Sequence, residues 1–250
     1  MKIFKATATI HDFFTTVARE LKIGVPTRVI GNTTLLYAVN LSLDGIHRVV
    51  SGSTPHYEED WGKFRVYATA GIFEEQGFAI ISNSKHDFGN ELQHKFGTSP
   101  VKITYNSVDS TELISMERSI FHRKEDKLNF PKLGAYLCYP PLATFSFFTL
   151  GGKGNSIIRV GKKSPPTRVV YEELQEVQLT SGKFEPSHAV QLADLSPETK
   201  VLEGNIIVLP NGLVLSNGKL EGPYFDGRIG RRKYKVAKPN EHLFPRILNS

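Results

Sequence analysis

The sequence predicts an α+β fold in which a β-sheet carries helices on one face. Short apolar segments bounded by glycine and proline recur along most of the 250 residues, which is typical of strands. One segment near residue 32 has helical periodicity instead, and it lies between the first two predicted strands. Strands mixed with few helices favour a sheet-and-helix core that is followed by a long β-rich remainder.

Ten segments have the length and composition of strands. They cover residues 2–10, 64–69, 101–105, 133–139, 144–150, 156–160, 168–171, 204–209, 213–216 and 233–236. The sequence IIVLPNGLVL predicts a hairpin, because Asn211 and Gly212 supply the positive φ angles that a tight turn requires.

The clearest predicted helix begins at Asn32 or Thr33, since either side chain can cap the free amides of the first turn. A second helix is predicted over residues 109–121. The apolar side chains of the first helix fall on one face, which is expected to be buried: Leu35, Leu36, Val39 and Leu43.

The chain reads as one elaborated domain over residues 1–250, because no internal repeat, low-complexity tract or interdomain linker is present. Residues 11–31 and 72–100 have no clear period and are predicted to be insertions. Residues 226–250 form a basic C-terminal segment.

Charge is distributed unevenly along the chain. The net charge is +6 and the pI is near 9.3. Residues 151–170, called the basic segment below, read GGKGNSIIRVGKKSPPTRVV and contain five cations, four glycines and no acid. Residues 228–238, called the C-terminal basic run, read RIGRRKYKVAK and contain six cations and no acid. Two runs of this kind favour an anionic binding partner.

Several functional classes lack support in the sequence. No Gly-Lys pair has the spacing of a phosphate-binding P-loop, and the single cysteine excludes an internal disulfide and a cysteine-based zinc site. We therefore expect no cofactor and no metal. The chain has no apolar run long enough to span a membrane and no secretory signal, so a cytoplasmic protein without a membrane partner is expected.

The basic segment suits a nucleic acid better than a mononucleotide. Arginine and lysine neutralise successive phosphates, glycine allows the phosphate backbone to approach main-chain amides, and aromatic rings stack on unpaired bases. The candidate contacts in and near the segment are Lys153, Arg159, Gly161, Lys162, Lys163 and Arg168. The candidate stacking residues are Tyr105, Tyr171, Tyr224 and Phe225.

The order of motifs along the chain resembles a known family. The chain reads LLYAVNLSLDG, TPHYEEDWGKFRVYATAG, ITYNSVDSTELISMER, NFPKLGAYLCYPPLATF, SIIRVGKK, EPSHAVQLADL and IIVLPNGLVLSNGKLEGPYF. This order is similar to the small crRNA-binding, backbone-capping subunit of type I-D CRISPR effector complexes. That subunit belongs to the subtype-Cyano family, the type I-D counterpart of the fifth CRISPR-associated family. The most specific pieces are PHYEED with VYATAG, NFPKLG and IIRVGK.

The resemblance implies a ferredoxin-like, RNA-recognition-type core with a hairpin or loop excursion. It implies that the chain holds the 5′ handle of the crRNA, packs against the large subunit and the first backbone subunit, and lies beside the target double-stranded DNA. It also implies that another subunit is the nuclease. Arg159, Lys162 and Lys163 would then grip handle phosphates, and Gly161 would let the RNA backbone come close.

Two alternatives remain open. A related-fold endoribonuclease could process precursor crRNA with His11 or His188 and nearby lysine or tyrosine side chains. A free-standing DNA-binding regulator is disfavoured because no helix-turn-helix pattern is present. The C-terminal basic run lies outside the resemblance, so Arg231, Arg232 and Lys233 are predicted nucleic-acid contacts from charge alone.

Overall fold

The computed structural model describes most of the chain. The described residues are 1–12, 14, 23–24, 27–44, 60–74, 101–106, 133–139, 141–161, 165–209 and 212–248. Side chains are not described for residues 23–24, 44, 101–106 and 133–138.

The described part of the chain is mostly β, with few helices. Its strands are β1 (Ile3–Ile10), β2 (Ile23–Gly24), β3 (Val29–Ile30), β4 (Tyr67–Ala68), β5 (Gly71–Phe73), β6 (Val101–Asn106), β7 (Leu133–Cys138), β8 (Thr144–Leu150), β9 (Ile157–Arg159), β10 (Pro166–Glu173), β11 (Gln175–Phe184), β12 (Val190–Gln191), β13 (Lys200–Leu209), β14 (Gly212–Ile229) and β15 (Arg232–Ala237). Its helices are α1 (Asn32–Asp44), α2 (Pro245–Leu248) and a 3₁₀ turn at Leu192–Asp194.

The first sheet has seven strands and contains β1 at its centre. Its main path is β3, β5, β8, β1, β10 and β9, and β4 also pairs with β8. All of these pairings are antiparallel. The helix α1 follows β1 in the chain and contacts β4 and β9.

The largest hydrophobic core lies between α1 and the first sheet. Leu35, Leu36 and Val39 of the helix are completely buried, as is Phe145 of β8. An added Cβ at Gly71 would lie 3.1 Å from Cδ1 of Leu35, so β5 and the helix are in close contact. The predicted apolar face of α1 is therefore confirmed for its first three leucine and valine positions.

The second sheet is organised by the long strand β14, which pairs with β11, β12, β13 and β15. Leu209 is paired with Gly212 at the end of the β13–β14 hairpin, which confirms the predicted hairpin, and Gly212 has a φ of 123° as predicted. Pro210 and Asn211 lie outside the described residues. A small third sheet contains β6, β7 and β2. None of the described helices has the length and apolar character needed to cross a membrane.

The second sheet packs against part of the face of the first sheet that α1 does not cover. The ring of Phe148 in β8 lies 5.7 Å from that of Tyr234 in β15 and 5.8 Å from that of His188. A separate apolar cluster contains residues of the first sheet and of the β13–β14 hairpin: Val29, Ala70, Ile72, Ala189, Ile207, Leu209 and Val214. The hairpin therefore packs over the edge formed by β3 and β5.

Most predicted strands are present, but their lengths differ. The strand at 144–150 has the predicted bounds, whereas the segment at 213–216 is part of the 18-residue strand β14. The strand β11 was not predicted, because QEVQLTSGKF is exposed on both faces and so lacks the alternation of a half-buried strand.

The prediction for the last turn of α1 was wrong, and the second predicted helix lies outside the described residues. Leu43 was predicted to be buried, but it is 36% exposed, because it lies in the last turn of α1 at the edge of the packed face. The helix predicted over 109–121 lies outside the described residues, as do most of the two predicted insertions.

Candidate nucleic-acid interface

Side chains of β1 alternate between the core and the open side of the first sheet. Ala6 and Ala8 are completely buried against the core, whereas Thr7 and Thr9 are partly exposed. Because successive side chains of a strand point to opposite faces, the two threonines lie on the face that α1 does not cover. We call this surface the outer face.

Strand register identifies the other members of the outer face. Directly paired residues of antiparallel strands project to the same side and have Cβ atoms about 5 Å apart. Thr7 is paired with Ser146 on β8 and Val170 on β10, and Thr9 is paired with Thr144 and Arg168. Two rows of hydroxyl side chains thus cross the central strands, with an arginine at one end.

The cations of the basic segment divide between two sides of the first sheet. Arg168 and Arg159 are both exposed, and Arg159 is paired with Pro166, which lies on the same side of β10 as Arg168. These two arginines therefore share the outer face. Lys153 is exposed in the connection after β8, near Asn155, whose side-chain amide donates a hydrogen bond to the carbonyl oxygen of Ser42 in α1. This lysine lies on the helix side of the sheet.

The side chains of three other predicted nucleic-acid contacts lie outside the described part of the chain. Lys162 and Lys163 lie outside the described residues. Tyr105 lies in β6, where the backbone is described but the side chain is not.

The packing of the protein itself requires glycine at two positions of the basic segment. Gly161 has a φ of 79°, and an added Cβ would lie 2.4 Å from Cε2 of Phe14. An added Cβ at Gly154 would lie 2.7 Å from the hydroxyl of Tyr171. Close packing inside the protein therefore requires both glycines, whether or not a phosphate backbone also approaches Gly161.

The predicted stacking residues are mostly unavailable. Tyr224 is 9% exposed and stacks on Phe184, and Phe225 is 7% exposed. Tyr171 points toward Gly154 on the helix side of the sheet, and burial raises the pKa of its hydroxyl to about 12. The predictions for Tyr224 and Phe225 were wrong because β14 uses these rings for packing, whereas the half-buried Tyr171 lies on the helix side of the sheet, away from the outer face.

The C-terminal basic run forms a second positive surface. Arg231, Arg232 and Lys233 are all exposed around the turn between β14 and β15. This turn lies beside the start of β11, since Gln175 is paired with Arg228. Seven residues of extended chain separate Arg168 from Gln175, which corresponds to about 23 Å. Arg168 lies near the start of β10 and the second basic surface lies beside the start of β11, so the two surfaces are separated along β10.

A cavity of about 700 Å³ opens between the first sheet and the base of the β13–β14 hairpin. Ile72 of β5 lines it from the first sheet, and it is otherwise lined largely by polar residues. Its charged residues already interact, since Nζ of Lys219 lies 2.6 Å from a carboxylate oxygen of Glu203 and 3.9 Å from one of Glu185. Two carboxylates with one lysine make this cavity a poor site for a phosphate.

The two candidate histidines differ sharply. His188 is 5% exposed, and its Nδ1 donates a hydrogen bond to the carbonyl oxygen of Ala189 while Nε2 accepts one from the amide of Ala237. Burial lowers the pKa of His188 to about 4. Both ring nitrogens are thus occupied by main-chain groups, which argues against a catalytic role. His11 is exposed at the end of β1, where its amide donates to the carbonyl oxygen of Pro166.

A search against family models gives a match over residues 1–244 to the family described as type I-D CRISPR-associated protein Cas5/Csc1. The chain belongs to this family. A crystal structure of a CRISPR protein from Archaeoglobus fulgidus is similar, with a TM-score of 0.45 and 10% sequence identity over 95% of this chain and all of that chain. A search of curated proteins gives no significant match.

Membership of the Cas5/Csc1 family confirms the resemblance of the ordered motifs. It assigns the chain to the CRISPR-associated proteins of type I-D and implies a place in a CRISPR effector complex. Within the described residues, no group of three or more histidine, cysteine or acidic side chains is arranged to hold a metal ion.

The hydroxyl side chains of the outer face were missed as candidates by the sequence reasoning. A usable signal was present, because ATATI alternates small buried residues with threonines in the first predicted strand. The threonines carry no charge, however, and their neighbours on β8 and β10 are known only from the register.

Proposed function

We propose that the chain is a non-catalytic subunit of a cytoplasmic type I-D CRISPR surveillance complex. In this role it binds the 5′ handle of the crRNA and caps one end of the backbone. Its protein partners would be the large subunit and the first backbone subunit, and it would lie near the motif adjacent to the target sequence in double-stranded DNA. The observation that carries this proposal is the family match over residues 1–244.

The outer face supports RNA binding at a defined place. Arg159 and Arg168 present positive charge beside the exposed part of the outer face, on which a single-stranded backbone can lie. Lys162 and Lys163 follow Gly161 directly in the chain and stay predicted phosphate contacts. Lys153 lies toward α1 and would contact RNA only where the strand passes around the sheet edge.

The second basic surface would contact another part of the nucleic acid. Gln175, which lies beside the turn that carries Arg231 and Arg232, is about 23 Å of extended chain from Arg168, so one short RNA handle bound at the outer face need not reach these two arginines. We assign these residues and Lys233 to the phosphates of the target DNA.

We also infer that the first sheet is a ferredoxin-like core. In that fold the first strand lies between the third and fourth strands, and a helix follows the first strand. The order β5, β8, β1, β10 supports this arrangement, with α1 as the first helix. Residues 151–165 include β9 where the second helix is expected, and the third sheet occurs in the connection from β5 to β8.

The competing function is cleavage of precursor crRNA. The hydrogen bonds of His188 oppose a role for that residue, but His11 is exposed at the same end of the sheet as Arg159 and Arg168. Incubation of the purified chain with repeat RNA in the presence of a chelator separates the two functions. We expect no cleavage, whereas specific cleavage that is lost on His11→Ala would establish the ribonuclease.

The test of the proposed function is a native pull-down of the tagged chain from its own host, with mass spectrometry of the proteins and sequencing of the RNA. We expect several CRISPR subunits together with guide RNAs that share one 5′ handle. Recovery of the chain alone, or with unrelated RNA or DNA, would contradict the proposal.

A further inference from the structure

The outer face has an unusual composition for a surface that binds single-stranded RNA. Exposed aromatic rings commonly stack on bases in such surfaces. Here the register places Phe148, paired with Lys5, and Tyr67, paired with Leu150, on the described outer face, and both are buried, with Phe148 1% exposed beneath Tyr234. Threonine and serine occupy the accessible positions of the central strands instead.

We propose that the hydroxyl row of the outer face reads the ribose 2′-hydroxyls of the bound RNA; this inference rests on the proposed handle binding and deepens it. The hydroxyl row consists of the accessible hydroxyl side chains of the two rows described above, which belong to Thr7, Thr9 and Ser146. A hydroxyl both donates and accepts a hydrogen bond, which matches the 2′-hydroxyl of ribose, the group that distinguishes RNA from DNA.

The hydroxyls of this row are available for a ligand. In the described part of the chain, no hydrogen bond involves the side chains of Thr7, Thr9 or Ser146, and all three are partly exposed. The hydroxyl of Thr144 projects to the same face as Thr9 but is buried, so it lies beneath the accessible part of the outer face and is not counted among the groups that a ligand contacts.

The geometry also orients an RNA strand. The pair Thr7–Ser146 and the pair Thr9–Thr144 are two residues apart along β1, which corresponds to about 7 Å. Arg168 lies directly beside Thr9, so a phosphate held by this arginine brings the attached ribose over the hydroxyl row. Val170, which is 53% exposed beside Thr7, adds an apolar contact for a sugar or base face.

The test compares ligands that differ at the 2′ position. Binding of the repeat-derived handle RNA is measured with the full chain, beside the same sequence as DNA and as 2′-O-methyl RNA. The variant carries Thr7→Val, Thr9→Val and Ser146→Ala, which keep the strand residues close in shape while removing the hydroxyls. Thr180→Val on β11, which is also partly exposed, is the matched control.

We expect wild-type protein and the control to bind RNA at least about tenfold more tightly than DNA, since several hydrogen bonds are lost with the 2′-hydroxyls. The triple variant should bind RNA and DNA nearly equally, with a thermal unfolding curve like that of wild type. The single variant Thr7→Val should lose part of the preference for RNA over DNA. It replaces the triple variant in this test if the triple variant is unstable.

The results that would contradict this inference can be distinguished from the result that would also contradict handle binding. Equal binding of RNA and DNA by the wild type, or RNA preference that persists in the variants, overturns this inference and leaves handle binding intact. Failure of the wild type to bind the handle RNA at low salt overturns handle binding and this inference together.

Discussion

The side-chain amide of Asn32 donates a hydrogen bond to the carboxylate of Asp194, although the two residues are 162 positions apart in the chain. Asn32 begins α1, and Asp194 ends the 3₁₀ turn that follows β12. The hydroxyl of Tyr67 in β4 donates to the same carboxylate oxygen at 3.3 Å. This buried polar cluster ties the helix and the first sheet to the segment that carries the second sheet.

Burial of Asp194 makes stability depend on pH. Desolvation raises the pKa of its carboxyl from 3.8 to about 6, against the opposing effect of the hydrogen bonds from Asn32 and Tyr67. The folded state therefore binds a proton more tightly than the unfolded chain, so the contribution of this group to the free energy of unfolding falls as pH rises from about 4 to about 6.

Asp194→Asn removes this titration while keeping an acceptor for Asn32. Relative to wild type, we expect the free energy of unfolding of the variant to rise by up to about 3 kcal/mol between pH 4 and pH 7. Urea unfolding at pH 4, 5, 6 and 7 measures the difference. A difference between variant and wild type that stays constant with pH would contradict the assignment.

His188 has the opposite effect over the same pH range. Burial lowers its pKa from 6.5 to about 4, so the unfolded chain binds the proton more tightly and the free energy of unfolding rises with pH through this range. In the wild type, the pH dependence of stability that His188 contributes therefore opposes the one that Asp194 contributes.

In the variant His188→Gln, the pH dependence of the free energy of unfolding should be the one that Asp194 contributes. We expect the variant to lose roughly 1–3 kcal/mol of stability at pH 7, because one or both main-chain hydrogen bonds of the imidazole are lost. Its free energy of unfolding should then fall between pH 4 and pH 6, which the same urea series detects. The double variant with Asp194→Asn is the control and should show neither slope.

Local patterns in the sequence predicted elements whose chemistry is local. The strand at 144–150, the helix from Asn32 and the hairpin at 209–212 each depend on neighbouring residues. The strand β11 was missed because its side chains are mostly polar on both faces, and its position depends on pairing with β14 residues that lie 36 to 53 positions later. Such pairing leaves no periodic signal in a single sequence.

In the candidate site, too, the sequence predicted what depends on single residues and missed what depends on long-range strand pairing. Charge alone predicted that Arg159, Arg168 and Arg231 would be exposed, and they are. The sequence did not reveal that the first two share one face while the third lies at the other end of the strands, since register decides this. It also assigned Tyr224 to stacking, although packing on Phe184 buries the ring.

Charge reversal tests which basic surface holds the RNA. The double variant Arg159→Glu and Arg168→Glu should weaken binding of the handle RNA by about tenfold or more and reduce the salt slope by about one to two, as expected for lost phosphate contacts. The variant Arg231→Glu and Arg232→Glu has the same charge change at the other end of the strands and should leave handle binding nearly unchanged. Filter binding at several salt concentrations measures both. If the first variant retains full affinity, the RNA lies elsewhere.

Gly161→Ala separates a structural role of this glycine from an RNA-binding role. The φ of 79° is unfavourable for alanine, and the new Cβ would lie 2.4 Å from the ring of Phe14, so we expect a loss of about 2–4 kcal/mol in the free energy of unfolding. Gly230→Ala is the matched control, because Gly230 has a φ of 58° with no atom within 4 Å of an added Cβ.

The control should lose only about 1–2 kcal/mol, which is the cost of the backbone conformation alone. Urea unfolding gives both losses, and the difference between them measures the contact with Phe14. Handle RNA binding by the folded fraction of Gly161→Ala provides the second readout. Equal stability losses in the two variants, combined with weaker RNA binding only in Gly161→Ala, would assign this glycine to the approach of RNA instead of to the packing of Phe14.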